Sequence, residues 1–374
     1  MNGLSICRVT HALYPDVIGG HAVFCNELST RQADLEHTIQ VFTARRDDLP
    51  RNQLVKNGYR IMRLNSVWMP WDSLGMQNPF TPSLYGAVRS LDCDLVDAHS
   101  QLFWMTALAV KAATDAGKPV ITTVHGILAL RDWLSNLSQK LYLSSVGAWV
   151  LRNSSRVICL TNSDAQEVAR LGAKTKNIRV IPVAVDPEEF RSQGMKRETI
   201  VWAGRLVPEK GLETLLEAIS ILHRKKPISL TIVGDGPLRN KLTGLAHTLG
   251  ISHLVSFRFK LTRSEVARLL QESQIFVLPS IKEGLPMVLL EAMASGNAVI
   301  ASRIPSITEV LGDDGLYFTS GAPDELADVL YQAAGDKSLL QRKGQRSRDI
   351  VKERFCWKVV LPLLENVYRD VAGN

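Results

Sequence analysis

Short runs of β-branched and other apolar residues recur along this chain, with helix-length segments between them. LSICRVTHA, HTIQVFTA, DLVDAHS, PVITTVHG and RVICLTN fall in the first half. TIVWAGR, SLTIVGDG, LVSFRF, IFVLPS and NAVIASR fall in the second. Strands spaced in this way join as parallel neighbours through helical crossovers. The runs are apolar throughout rather than alternating, as expected when helices cover both faces of a sheet. The pattern predicts two doubly wound α/β domains.

The break between them is expected in the polar, Pro- and Gly-bearing stretch Asp186 to Glu198. The predicted layout is a first domain over 1–186, a linker over 187–198, a second domain over 199–355 and a terminal segment over 356–374. In that last segment Val359, Val360, Leu363, Leu364, Val367 and Tyr368 recur at a helical period, so one helix face must be buried. With 374 residues, each domain can bury its own core without a metal or disulfide staple. The five cysteines, Cys7, Cys25, Cys93, Cys159 and Cys356, are scattered and include no C-x-x-C pair, which fits a reducing cytoplasm. The first residues lack the character of a secretion signal, and no apolar run is long enough to span a membrane. Net charge is +7, suited to anionic partners such as nucleotides or acidic lipid, without the concentrated basic blocks of nucleic-acid binders.

In open α/β sheets ligands bind beyond the carboxyl ends of the strands, so residues following each run are the candidates for chemistry. Gly19-Gly20 follows the first strand and opens a helix, where bare backbone amides can approach an anion; a plain turn is the competing reading. Arg205 and Lys210, in GRLVPEKG, place a forked and a point cation at one strand end, and an ion pair with Glu209 is the alternative. Glu283 and Glu291, with seven residues between them in SIKEGLPMVLLEAMASG, flank a helix start. Pro286 suits its first turn, leaving the amides of Met287 and Val288 as free donors for phosphate. Glu291 can accept from both hydroxyls of a ribose, while Glu283 can reach another sugar. Apolar neighbours surround Glu291, so a partner is expected for its carboxylate.

His125, closing PVITTVHG, is either a substrate contact or a hydrogen-bonded structural histidine. His99, closing DLVDAHS, carries the same two readings. Ser163 to Gln166, after Thr161, reads as a helix cap rather than a nucleophile. Gly234-Asp235-Gly236-Pro237 follows a strand, but Arg239 stands where a dinucleotide fingerprint requires its third glycine, which argues against NAD. Asp92-Cys93-Asp94 precedes its strand instead of following it and reads as loop.

Together these marks resemble the retaining glycosyltransferases of family 4, over essentially the whole chain. They are Gly19-Gly20, His125-Gly126, Gly204-Arg205 with Lys210-Gly211, Gly234 to Pro237, Pro279-Ser280, Glu283 to Glu291 with Ala292-Met293-Ala294, and Arg354 to Trp357 entering the last helix. The resemblance implies the GT-B fold, two Rossmann-like domains with a cleft between them and a C-terminal helix crossing back to the first domain. It implies glycosyl transfer from a nucleotide-diphosphate sugar to a saccharide or lipid-linked acceptor, with no metal and no cofactor beyond that co-substrate. Arg205 and Lys210 would hold the diphosphate and Glu291 the ribose. Glu283 and the backbone of Gly284, Leu285, Met287 and Val288 would hold sugar and phosphate, with Gly19, Gly20 and His125 completing the site and backbone near Leu261 framing the base.

Three positions depart from the family pattern: Pro182 to Asp186 where Pro-Asn-Gly-Val-Asp is common, Phe259 for a frequent glycine, and Ile304-Pro305-Ser306 for Val-Gly-Gly. A nucleotide-sugar 2-epimerase and a non-catalytic sugar-nucleotide-binding protein share the same architecture. Five of the seven tryptophans, Trp68, Trp71, Trp104, Trp133 and Trp149, lie in the expected acceptor domain. Arg45, Arg46, Arg51, Lys56, Arg60 and Arg63 precede Trp68 to Trp71, so one edge could rest peripherally on an anionic membrane; ordinary core tryptophans beside a solvated basic face are the alternative. Leu128 to Leu151 either lines an acceptor groove or packs.

Overall fold

The structure, a computed structural model, describes residues 3–17, 19–46, 49–55, 58–68, 78–126, 133–191, 194 and 196–373. The chain is mixed α/β, with two sheets of mainly parallel strands. It divides into two compact units: the described residues of 3–126, 133–183 and 360–373 form the first, and those of 184–359 the second.

In the first unit the described elements are β1 (Ser5–Val9), α1 (Gly20–Asp34), β2 (Thr38–Ala44), β3 (Asn52–Leu54), β4 (Arg60–Leu64), α2 (Ser83–Ser90), β5 (Leu95–His99), α3 (Trp104–Asp115), β6 (Val120–Val124), α4 (Trp133–Tyr142), α5 (Ala148–Asn153), β7 (Arg156–Cys159), α6 (Asn162–Arg170) and β8 (Ile178–Val180). The sheet order is β3-β4-β2-β1-β5-β6-β7-β8, parallel except for β3 against β4. β5 and β6 are buried at every position, the mark of strands covered on both faces. β3, β4 and β8 are not among the runs singled out from sequence. They are short or carry charge, and β3 is exposed throughout at the sheet edge.

The second unit contains β9 (Arg197–Ala203), α7 (Leu212–His223), β10 (Leu230–Val233), α8 (Arg239–Thr248), β11 (Val255–Arg258), α9 (Arg263–Glu272), β12 (Ser273–Leu278), α10 (Met287–Ala294), β13 (Ala298–Ser302), α11 (Pro305–Leu311), β14 (Leu316–Phe318), α12 (Pro323–Gly335) and α13 (Lys337–Ile350). Its strands run in the order β11-β10-β9-β12-β13-β14, all parallel. Trp202 and Ile200 on β9 and Ile275 and Val277 on β12 are fully buried in its core.

The last helix, α14 (Trp357–Ala372), contributes residues 360–372 to the first unit. Its attachment there is polar as well as apolar. Glu365 accepts from Gln32 and pairs with His37, each at 2.7 Å, and Asp370 pairs with Arg156 at 2.6 Å. Two local readings are corrected. The α6 cap is Thr161, whose hydroxyl accepts from the Asp164 amide, rather than the sequence starting at Ser163. Pro286 is the residue preceding α10 rather than a member of its first turn, with the extended ψ of 124° that a cap residue adopts.

Candidate active site

On the second unit the site residues converge where the loops after β9 and β12, adjacent strands of the sheet, come together. Gly204 and Gly211 bracket Arg205 to Lys210. A Cβ on Gly211, at φ 64°, would lie 2.0 Å from the Pro279 carbonyl oxygen, so glycine is what lets the two loops touch. The Ile281 amide donates to the Glu209 carbonyl at 2.8 Å and fixes that contact. Lys210 Nζ then reaches Glu283 Oε1 at 2.6 Å, and the Ser280 hydroxyl donates to the same oxygen at 2.7 Å. Ser306 donates to the Glu283 carbonyl at 3.0 Å, so the departure from Val-Gly-Gly supplies a hydrogen bond to this loop.

Arg205 behaves differently. Its side chain is 57% exposed and lies 4.0 Å from Glu209, so that ion pair is loose. α10 starts at Met287, and its first amides lack intrahelical acceptors. Leu285 and Met287 bury their side chains, while Gly284 and Val288 are half-buried; any ligand contact by Leu285 or Met287 is therefore through backbone.

The partner expected for Glu291 is Arg263, whose Nη2 lies 3.9 Å from Glu291 Oε1. Arg263 also grips Glu189 through Nε at 2.9 Å and Nη2 at 3.0 Å. Sequence reasoning missed Arg263. Its one local signal is position: it follows Thr262, the cap of α9, in a capping box closed by Glu265. Leu261, just before it, is half-buried and follows Lys260 at a positive φ of 55°. Two departures meet here: the Arg239 guanidinium lies 3.6 Å above the Phe259 ring, so the residue replacing the third glycine stacks on the one replacing the other.

On the first unit the candidates gather at the carboxyl ends of β1, β5 and β6. Gly19 precedes α1 with an extended backbone, and among the described residues a Cβ there would meet nothing within 4 Å, so neither their packing nor the backbone angle requires glycine. Gly20 is the exposed first residue of the helix. His125 follows β6, and its Nε2 lies 3.0 Å from His99 Nδ1. His99 Nε2 lies 2.9 Å from Asp97 Oδ2. The same carboxylate oxygen accepts from Arg8 Nε at 2.8 Å and from the Tyr368 hydroxyl at 2.6 Å. His125 and His99 are thus hydrogen-bonded to each other, which joins the two readings rather than separating them.

Electrostatics sort these groups. Burial disfavours charge on His99, but the Asp97 charge and hydrogen bond outweigh it, with a contribution from Cys25, and hold the imidazole up at about 10. Burial followed by the His99 charge pushes His125 well below the usual histidine range. Burial, then His125 and the neighbouring histidines, does the same to His21. Asp97 is also buried, yet His99 and Arg8 hold it well below the usual carboxylate range.

His21, Cys25, His99 and His125 bring their donor atoms within 4.8 Å of one another, a set whose chemistry suits a soft metal. Each member is already engaged, however: both His99 nitrogens face hydrogen-bond partners, one of them His125 Nε2, while His21 Nε2 faces Thr10 Oγ1 and Cys25 is hydrogen-bonded to His99, so the four act as a hydrogen-bonded cluster.

The surface readings narrow. Arg63 is no part of a solvated basic face: it is buried and grips Asp16 through Nε at 2.6 Å and Nη2 at 2.8 Å. Lys56, Trp71 and the side chain of Trp133 lie outside the described residues, as does the start of the Leu128 to Leu151 stretch. Trp68 and Trp149 pack against the first unit's core, and Trp104 meets Tyr142 edge to face. Among the described residues no helix is long and apolar enough to cross a membrane.

Comparison with known proteins covers both units. The description "Glycosyltransferase Family 4" matches residues 18–189, and "Glycosyl transferases group 1" matches residues 186–350. The MMP alpha-(1->4)-mannosyltransferase of Mycolicibacterium hassiacum is 27% identical over 95% of this chain and 96% of its own length. The glycogen synthase of Mycobacterium tuberculosis is 26% identical over 98% of this chain and 94% of its own. Among solved structures, sucrose-phosphate synthase from Thermosynechococcus elongatus superposes with a TM-score of 0.86 at 19% identity, covering 99% of both chains. HepE from Anabaena, in complex with UDP-glucose, superposes with a TM-score of 0.80 at 18% identity, over 99% of this chain and all of that one.

Proposed function

Since this chain belongs to the family 4, group 1 glycosyltransferases and has their GT-B fold, we propose that it moves a hexosyl unit from a UDP- or GDP-sugar to a saccharide or lipid-linked acceptor, with retention and without a metal. The observation that carries this reading is the Lys210–Glu283 contact at 2.6 Å, which holds a cation and a carboxylate together beside the start of α10. Departure of the sugar leaves negative charge on the diphosphate and positive character at the anomeric carbon. Arg205, Lys210 and the first amides of α10 stabilise the former, and Glu283 orients the sugar. Glu291, held by Arg263, takes the ribose, and backbone near Leu261 frames the base. The first unit contributes His125 with the backbone of Gly19 and Gly20 at the start of α1, where amides without intrahelical acceptors suit an anion.

The carbon–oxygen bond to the diphosphate breaks as the acceptor oxygen bonds the anomeric carbon on the same face, and the acceptor proton passes to the leaving phosphate. The acceptor is met at the cytoplasmic face, with the exposed Arg51 and Arg60 as the basic residues for anionic lipid. The test is transfer of label from UDP-glucose, UDP-N-acetylglucosamine and GDP-mannose into lipid and saccharide extracts, with and without EDTA, against a Glu283→Ala control. Product from one donor, indifferent to EDTA and lost in the control, supports this reading. Donor binding without transfer, or an epimerised donor, overturns it.

A further inference from the structure

His125 sits at the end of a hydrogen-bonded series that runs into the interior of the first unit, and the series leaves little freedom over which ring nitrogen carries its proton. Asp97 Oδ2 receives Arg8, His99 and Tyr368. It bears no proton of its own in that contact, so His99 Nε2 is an N–H donor. The remaining His99 nitrogen, Nδ1, lies 3.0 Å from His125 Nε2, and one proton must lie between them. His99 has an anion at 2.9 Å to offset a second proton. Among the described residues no carboxylate is hydrogen-bonded to His125, and the Asp97 charge reaches it only from beyond His99; its ring lies 4.4 Å from that of His21, which in turn is 4.8 Å from that of His11.

We propose that Asp97 and His99 are positioning residues that commit His125 to a single neutral tautomer, with Nε2 accepting from His99 and the proton on Nδ1. The inference rests on the proposed function only in assigning His125 to the transfer reaction. It has a mechanistic consequence: His125 meets the donor as a hydrogen-bond donor to a sugar or phosphate oxygen, and does not serve as a base. The other charged or titratable groups around the series agree. Arg8 on β1 and Tyr368 on α14 address the carboxylate rather than the imidazoles. Cys25 on α1 acts on His99, and His21, in the first turn of α1, shares Thr10 Oγ1 through its Nε2 at 3.2 Å. Burial opposes charge on His99, but the Asp97 charge outweighs it and keeps His99 charged to about pH 10; burial and then the charged His99 oppose a second proton on His125.

The tautomer is readable without any activity. In the full chain labelled with ¹⁵N-histidine, long-range ¹H–¹⁵N spectra between pH 6 and 9 should show His125 protonated on Nδ1 only, and His99 protonated on both nitrogens. His99→Phe, which keeps the ring volume, should release His125 into a mixture of tautomers. It should also lower kcat for glycosyl transfer by about tenfold or more while the donor KM moves by less than about twofold. Asp97→Asn should have the same spectral effect; His99→Phe keeps the Arg8–Asp97 pair and stands in for it where the asparagine variant does not fold. His125 protonated on Nε2, His125 titrating between pH 6 and 7, or an unaltered tautomer in His99→Phe would overturn the proposal. A protein that turns over no nucleotide sugar fails the functional reading alone, and the nitrogen signals still decide the tautomer.

Discussion

Tyr368 on the terminal helix donates its hydroxyl hydrogen to Asp97 Oδ2 at 2.6 Å, across 271 positions of sequence. Both side chains are buried, and the same hydroxyl lies 3.4 Å from Arg8 Nη2. The last helix is therefore fastened to the polar series that ends at His125. Tyr368→Phe leaves this buried carboxylate short of one donor. The expected cost is about 1–3 kcal/mol of stability, read as a lowered urea midpoint. An unchanged midpoint would contradict the role given to the hydroxyl.

His99 gives a pH dependence with a definite sign. Its folded-state value, about 10, lies above the ordinary 6.5, so charged His99 stabilises the fold fully below about pH 6.5, and that contribution is lost as pH rises through 10. Wild type should lose stability relative to His99→Phe as pH climbs from 7 to 10. Denaturant midpoints of the two proteins at several pH values measure this, and a constant difference would refute it.

Arg205 and Lys210 should separate stability from activity. Arg205 is largely exposed and loosely paired, so Arg205→Ala should change stability by less than about 0.5 kcal/mol while lowering turnover by about a hundredfold. Lys210→Ala leaves Glu283, whose side chain is only 8% exposed, without its cation, and should lower both turnover and stability, the latter by about 1–3 kcal/mol. Thermal melts beside kinetics distinguish the two patterns.

Glu291 and Arg263 should act on the nucleotide together. Glu291→Ala is expected to weaken binding of free nucleotide and nucleotide sugar alike by about tenfold, near 1.4 kcal/mol. Arg263→Met, which frees Glu291 from its 3.9 Å partner, should produce a smaller loss in the same calorimetric titration. Equal affinity in wild type and Glu291→Ala would remove the ribose assignment.

Gly234 has a purely steric role. At φ 136°, its Cβ would lie 1.8 Å from the Gly204 carbonyl oxygen, in the loop that precedes Arg205. Gly234→Ala should destabilise by at least about 2 kcal/mol and displace the Arg205 loop, detectable as a lower melting temperature with weaker donor binding.

Most of the runs that sequence reading identified as strands are largely buried, because a short, continuously apolar run between helical segments finds its place inside a covered sheet; β11, at the sheet edge, is half-exposed. β4 escaped it because R-I-M-R-L places two arginines in five residues and so breaks the apolar run. Its inward-facing Arg63 is tolerated because Asp16 reaches it from 47 positions away and the Pro50 carbonyl and Gln53 accept its remaining donors. Arg205, Lys210, Glu283 and His125 were legible because strand-end position and chemical type are both local properties. Arg263 and Arg8 were not, since an arginine in a capping turn or within a strand has no distinctive spelling.

The sequence by itself determined the two mainly parallel sheets, their strand ends and the residue types available there, because periodicity and strand-end position are written within a few neighbouring residues. Only the tertiary structure decided that Lys210 meets Glu283, that Arg263 supplies the cation for Glu291, and that Asp97 holds His99 against His125 under the hydroxyl of Tyr368. Each of those depends on burial and on a partner far away in the chain. A carboxylate or imidazole acquires its protonation and its role from the dielectric and charges around it in three dimensions, and neither is encoded in its own neighbourhood.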